Sequence, residues 1–476
     1  MNLIQDFLLA AQDHPDRRAI IDRSGVVISY GDLDKRSARL AAAFASKGIG
    51  RGDRVLVGAF PGLGLYAGLA ALWRLGAVAV FPEPAMGLAG FRHAAAVTEP
   101  VALLASWKIG LLARLLPETR RIPIRLSPDA DGSSSGDGCE PRDPSEPALI
   151  SFTSGSTGAP KAIVRTHGLM RAQHSALAPL IASDRGEETD IVAFPAFVLT
   201  CIGHGSTAVM PTWNLKRHDK MPAAEVVRLA EETVATRLLV PPVSVDRLIG
   251  APLPGSVHRV MTGGGPLYPD VARRFLSGQP GKGLTVVYGS TEAEPVSYSR
   301  LEDLSERDWE ASASGKGLPV GKPVKEAALK FIDDEILVSG PHVNRGYLDP
   351  SRDKETKLVD GATVWHRTGD AGYLDDDGRL WLLGRKEAAS NGLFAFSLET
   401  AARLWPGVTG AAFAVDRSGE PVLFLSGDVQ KQSLWHERAK DLGSFDIQVL
   451  TQIPMDRRHR SKPDTKQLLS RYRRVS

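Results

Sequence analysis

A run of small, hydroxyl-bearing and glycine residues closed by a lysine, Ser151-Phe152-Thr153-Ser154-Gly155-Ser156-Thr157-Gly158-Ala159-Pro160-Lys161, follows the apolar Ala148-Leu149-Ile150. Glycines let successive backbone N–H groups converge on one anion, hydroxyls add donors, and a lysine brings a mobile positive charge. The chemistry this suits is phosphate binding. A Walker A loop is excluded, because Ala159 and Pro160 separate Gly158 from Lys161 and Ala162 follows the lysine. A flexible Ser/Gly linker is the plain alternative, but a linker has no reason to sit between two apolar runs with a lysine at its exit. Further along, Val286-Val287-Tyr288-Gly289-Ser290-Thr291-Glu292-Ala293-Glu294 reads as a strand that bends at a glycine and presents hydroxyls and a carboxylate. Ligands of open parallel sheets sit at that edge. His366-Arg367-Thr368-Gly369-Asp370 puts a carboxylate at the end of a strand, where it can accept from the two hydroxyls of a diol.

The elements that must position these groups alternate between two periods. Ala19-Ile20-Ile21-Asp22 and Val26 to Tyr30 suggest a hairpin, and a helix rich in Ala and Leu starts near Ser29 or Asp32. Arg54 to Gly58 reads as a strand, Leu63 to Leu75 as a helix, and Ala77 to Phe81 as a strand buried on both faces, which favours a parallel sheet. The rhythm returns after the glycine-rich loop, with a helix from His167 to Leu180, strands at 190–195, 237–240 and 259–261, and a helix from Ala223 to Thr233. Past Leu318 the pattern changes to short strands and turns, and the last stretch, with a helix at 398–404, is a separate small unit. Residues 127–147, with several prolines and little to bury, read as a surface loop or linker.

Composition removes several classes of function. A net charge of +3 with 24% charged residues gives no broad basic face for nucleic acid, and only the extreme C-terminus is locally basic. No segment approaches 18 apolar residues without Gly, Pro or charge, so no stable membrane insertion is expected. Two cysteines, Cys139 and Cys201, make a disulfide framework improbable and suggest a reducing, cytoplasmic setting.

In this order and spacing the motifs resemble the adenylate-forming superfamily of acyl-CoA synthetases, luciferases and peptide-synthetase adenylation domains, over nearly the whole chain. The tail, Ile453 to Pro463 with Ser461 in place of the usual glycine, looks closer to one branch, the β-lactone synthetases of olefin biosynthesis and related acyl-CoA-ligase-like proteins. The resemblance implies an α/β fold: a large N-terminal adenylation domain, 1–385, of two α/β subdomains (about 1–145 and 146–310) and a small β-rich one (311–385). A small mobile α/β cap, 386–476, completes it.

The resemblance also implies ATP and Mg²⁺ as cofactors and assigns residues to them. Thr153, Ser154, Gly155, Ser156, Thr157, Gly158 and Lys161 hold the β- and γ-phosphates. Gly263, Gly264 and Gly265 border adenine and the acyl group, and Tyr288, Gly289 and Ser290 lie against the nucleotide. Thr291 contacts the α-phosphate, Glu292 helps hold the metal, and Asp370 takes the ribose with Arg385 beside it. Glu387 is the hinge, Phe197 gates the acyl pocket, and Lys462, with Lys466 as the competing choice, completes the catalytic set. The substrate is then a small carboxylic acid, activated to an acyl-adenylate with release of pyrophosphate. CoA is the simplest acceptor, with an acyl-carrier protein as another. The alternative is a β-lactone synthetase that closes a β-hydroxyacyl-adenylate, because Ala388-Ala389-Ser390-Asn391-Gly392-Leu393-Phe394 lacks the lysine most acyl-CoA ligases carry after the hinge. A homologue that binds a nucleotide or partner without catalysis is weaker, since Lys161, Glu292, Asp370, Arg385 and Lys462 are all present.

Overall fold

The computed structural model describes residues 2–82, 86–132, 138–153, 160–183, 185–215, 217–455 and 462–472. The chain divides into two compact units. The first comprises Met1–Thr212, Thr291–Glu294 and Gly340–His366, the second Trp213–Ser290, Pro295–Ser339 and Arg367–Ser476.

In the first unit a six-stranded sheet runs, in spatial order, Ile124–Leu126, Ala102–Ala105, Arg54–Gly58, Val78–Phe81, Pro147–Thr153 and Lys161–Thr166. All neighbours are parallel except the last pair. Strands buried on both faces need continuous apolar character, and Val55, Leu56, Val80, Leu103 and Leu104 supply it. Leu56, Val80, Ile150 and Phe152 join one core cluster, each such side chain contributing about 1.5–3 kcal/mol by leaving water. The helix Tyr30–Ala45 starts where Ser29 Oγ accepts from Asp32 N at 3.1 Å, and its hydrophobic face buries Leu33, Leu40 and Phe44. A second strand group, Thr189–Val192, Thr207–Val209 and Arg18–Ile21, is parallel, with Val27–Ser29 closing the expected hairpin.

The antiparallel pair matters most for function. Thr153 is the strand partner of Lys161, so the glycine-rich loop joins two arms of a hairpin, and its lysine is the first residue of the returning strand. A Walker loop leads into a helix instead, which is why the spacing differs.

The stretch expected to be a surface linker, 127–147, carries two buried residues among those described, Pro128 and Arg142. Arg142 is 3% exposed and packs over Gly76, where an added Cβ would lie 1.9 Å from the guanidinium carbon. Its partners are local carboxylates, Glu140 at 2.6 Å and Glu146 at 3.8 Å. A pairing of that kind leaves no apolar trace in a sequence.

The second unit repeats the α/β grammar. Arg237–Leu239, Arg259–Gly263 and Gly283–Ser290 form parallel neighbours, and the helices Ala223–Thr233 and Pro269–Gly278 bury one face each. Antiparallel strands follow in the spatial order Ala293–Arg300, Leu318–Pro323, Leu380–Arg385, Thr363–Leu374, Glu335–Ser339 and Ala328–Ile332, the first residues of Ala293–Arg300 and Thr363–Leu374 belonging to the first unit. Toward the C-terminus, Val408–Val415 pairs antiparallel with Pro421–Gly427, which is parallel to Asp446–Leu450. One face of this small sheet packs Leu398, Trp405 and Trp435 and the other packs Ile453 and Leu468, so it carries its own apolar core.

Neither Cys139 nor Cys201 forms a disulfide, and no described helix is long and apolar enough to cross a membrane.

Candidate active site

In the first unit the carboxylate of Glu292 is the organising group. Tyr347 Oη donates to Glu292 Oε1 at 2.9 Å, and Asn344 N donates to the Glu292 carbonyl at 2.7 Å. Tyr347 is itself fixed, its N–H donating to Asp353 Oδ1 at 2.9 Å. Two lysines stand over its ring, Lys161 Nζ at 5.4 Å and Lys357 Nζ at 5.6 Å from the centroid. Lys161 also faces Glu355 at 3.8 Å. Lys357 donates to the Asn344 carbonyl, and burial lowers its pKa to about 8 against the opposing pull of Glu292 and Asp353. The Thr291 carbonyl accepts from Arg165 Nη2 at 2.8 Å. Thr153 ends its strand beside this set in the fold of the sheet, whereas Ser154, Gly155, Ser156, Thr157 and Gly158 lie outside the described residues.

A cavity of about 130 Å³ opens in the same unit. Its wall includes the apolar Phe7, Leu33, Tyr66, Trp73, Leu177 and Phe197, and Asp6, Arg165, His174 and Glu294 add charge-bearing groups. Phe197 opens the short helix Phe197–Gly203, its ring 5.8 Å from that of Phe194. His174 lies against His204, their ring centroids 3.7 Å apart and their planes tilted by 36°, and burial followed by the His204 charge lowers its pKa to about 4.

In the second unit Asp370 is held on both oxygens. Tyr288 Oη donates to Oδ2 and Arg385 Nη1 to Oδ1, each at 2.9 Å, while Thr368 Oγ1 accepts from Asp370 N at 3.0 Å. Burial, then the Asp370 charge, pushes the Tyr288 phenol well above its ordinary range, so it stays a donor. Asp370 does not end its strand, as the sequence suggested, but sits inside Thr363–Leu374, opposite Arg385 in the register. Gly369 makes that possible. Its φ is +69°, and a Cβ there would approach Arg385 Nη2 to 2.7 Å, so only glycine lets the strand bend under the guanidinium. A carboxylate has about four acceptor positions. Two are used here, which leaves two for a pair of neighbouring hydroxyls.

The remaining candidates are placed more loosely. Gly263 ends the strand Arg259–Gly263, Gly264 has φ +77°, and Gly265 lies in the bend that follows. Gly289 and Ser290 end the strand that carries Tyr288. Glu387 lies in the short turn Lys386–Ala388 directly after Arg385 and adds to the charge around it. Lys462 is exposed in a bend beside the Met455–Pro463 bridge, and Lys466 is exposed in the first turn of Thr465–Arg471. Among the described residues neither lysine bonds to another candidate group.

Sequence reasoning missed Tyr347, Lys357, Asn344 and Arg165. Asn344 and Tyr347 follow Gly340 in an irregular stretch with no period to read, and Lys357 opens the short strand Lys357–Asp360. Their position beside Glu292 comes from the isolated bridges Ala293–Val343 and Ile163–Tyr347, which no local pattern announces.

A family profile described as AMP-binding enzyme matches residues 7–348. The chain is 30% identical to an olefin beta-lactone synthetase of Stenotrophomonas maltophilia, over 92% of this chain and 90% of that one. It is also 30% identical to a salicyl-AMP ligase / salicyl-S-ArCP synthetase of Mycobacterium tuberculosis, over 79% and 71%. In fold it is similar to the amide bond synthetase McbA from Marinactinospora thermotolerans, with a TM-score of 0.81 at 21% identity and 98% coverage of both chains. The mixed α/β architecture agrees with these relatives, and the chain belongs to the AMP-binding enzymes, which form acyl-adenylates.

Proposed function

We propose that the chain condenses a small carboxylic acid with ATP, using the two carboxylate sets described above, and releases pyrophosphate. The observation that carries this reading is Asp370, pinned by Tyr288 and Arg385 with two acceptor positions left, in a chain that matches the AMP-binding family. A carboxylate attacking a phosphate faces charge repulsion, so catalysis must come from positioning and from neutralising charge on the α-phosphate and the departing pyrophosphate. In this reading Asp370 and Arg385 take the ribose, Tyr288 to Ser290 and Gly263 to Gly265 border the base and the acyl group, and Thr153 to Gly158 with Lys161 take the outer phosphates. Thr291 and Lys462 take the α-phosphate. Phe197 borders the acid.

Mg²⁺ fits one residue. Glu292 spends one oxygen on Tyr347 and keeps the other, and Mg²⁺ is commonly held by one or two carboxylates plus substrate phosphates and water. The ion would supply charge neutralisation.

Lys462 lies beyond Arg385, so we assign 386–476 as the cap that turns about Glu387 and 1–385 as the body, with the cap gating the reaction. Two observations favour a β-lactone as product over a thioester: the missing lysine in 388–394, and likeness to chains named olefin beta-lactone synthetase. CoA or a carrier-protein thiol is the other acceptor. Mass spectrometry of products from a β-hydroxy acid, with and without CoA, separates them. A thioester formed only with CoA would exclude lactone closure, and lactone formed in its absence would exclude a required thiol. Lys462→Ala is expected to abolish adenylation and Lys466→Ala to spare it; the reverse would move the assignment along the tail.

A further inference from the structure

We infer that Glu294 selects the acid, its carboxylate accepting a hydrogen bond from a donor substituent, hydroxyl or ammonium, carried within a few bonds of the carboxyl group that is activated. This rests on the adenylation reading and adds a substrate class to it.

Glu294 lies on the wall of a cavity whose other lining is mostly apolar. No hydrogen bond or ion pair within the described residues satisfies its carboxylate. Arg165, the cation on the same wall, is engaged by the Thr291 carbonyl at 2.8 Å and by Gln173 Oε1 at 3.4 Å. A carboxylate is an acceptor, and one half-buried on a mostly apolar wall with no donor beside it is better satisfied once a bound molecule brings that donor. Position then limits where the donor can be. Glu294 is two residues beyond Glu292, so their Cα atoms are at most about 7 Å apart. If the acid is activated beside Thr291 and Glu292, the group that Glu294 reads must lie near the carboxyl end of the acid. His174, also on the wall, does not compete as a cation, since burial keeps it neutral at pH 7.

A site that sets a hydrogen-bond acceptor against the substrate rejects a substrate that lacks the donor more strongly than an apolar pocket rejects a misplaced methylene. The test compares pyrophosphate release with hexanoate, β-hydroxyhexanoate and β-aminohexanoate, and with the α-substituted acids as a second series. The native enzyme should prefer a donor-bearing acid over hexanoate by about 10- to 100-fold in kcat/KM. Glu294→Ala should abolish that preference. Glu294→Gln, which keeps shape and an amide oxygen, should keep part of a preference for hydroxyl and lose a preference for ammonium, and so identifies the donor even if the alanine variant melts early. Equal loss for all acids in both variants, or no preference in the native enzyme, would overturn the inference while leaving adenylation intact. Background release with every acid would instead overturn the adenylation reading and this inference with it.

Discussion

Asp370 and Glu292 each accept from a tyrosine hydroxyl at 2.9 Å, yet the second unit gives Asp370 a guanidinium as well, while the described residues of the first unit give Glu292 none. Asp370 also sits on a paired strand, its backbone N–H bonded to Thr368 Oγ1. Glu292 instead hangs from the turn before Ala293–Arg300 and is braced from the irregular stretch around Asn344 and Tyr347. The first arrangement fixes geometry and neutralises its own charge, which suits recognition of neutral hydroxyls. The second leaves its carboxylate without a bonded cation among the described residues, with Lys357 turned to the Asn344 carbonyl, which suits a carboxylate awaiting a cation.

If that contrast is right, the two carboxylates fail differently. Glu292→Gln should lower the rate of adenylate formation by on the order of 100- to 1000-fold at saturating ATP, and extra Mg²⁺ should not restore it. Asp370→Asn should chiefly raise KM for ATP, by about 10- to 100-fold with a much smaller change in kcat, because the amide nitrogen cannot accept. Equal effects on kcat in both variants would erase the distinction. Tyr347→Phe, which frees Glu292 without removing it, should cost about tenfold in rate, and Tyr288→Phe about the same in ATP affinity. Steady-state kinetics with ATP varied separates all four.

The units also titrate in opposite senses. Burial depresses His167 and His174 of the first unit to about 4, so each contributes stability that is present above 6.5 and lost as pH falls through 4. Glu399 of the second unit is raised by burial to about 7, so its contribution is present below 4.5 and lost as pH rises through 7. Hydrogen exchange read peptide by peptide should show the first unit loosening between pH 6.5 and 4 while Glu399→Gln tightens the second at pH 8. Each shift corresponds to about 3 kcal/mol. Parallel loosening of both units would contradict the assignment.

Much of this was legible in the chain. Apolar runs such as Val78-Ala79-Val80-Phe81 announce parallel strands because both faces must be covered, and Ser29 announces the helix it caps. The motif order named the family, since phosphate, ribose and metal groups each need a particular residue type. What remained hidden depends on long-range placement. Tyr347 reaches Glu292 from 55 residues away. Arg142 is buried by charge pairing with no hydrophobic signature. Asp370 sits mid-strand because Gly369 absorbs a bend that the letters Thr-Gly-Asp describe equally well as a strand end. Glu294 closes the Val286–Glu294 run, but nothing in the letters says which way its side chain faces.

The most direct test of the account is acid-dependent ATP–pyrophosphate exchange across fatty, hydroxy and aryl acids, run on the native chain and on Glu292→Gln. The account predicts exchange above background with at least one acid and its loss in the variant. Background exchange with every acid, from protein that still binds ATP, would contradict it.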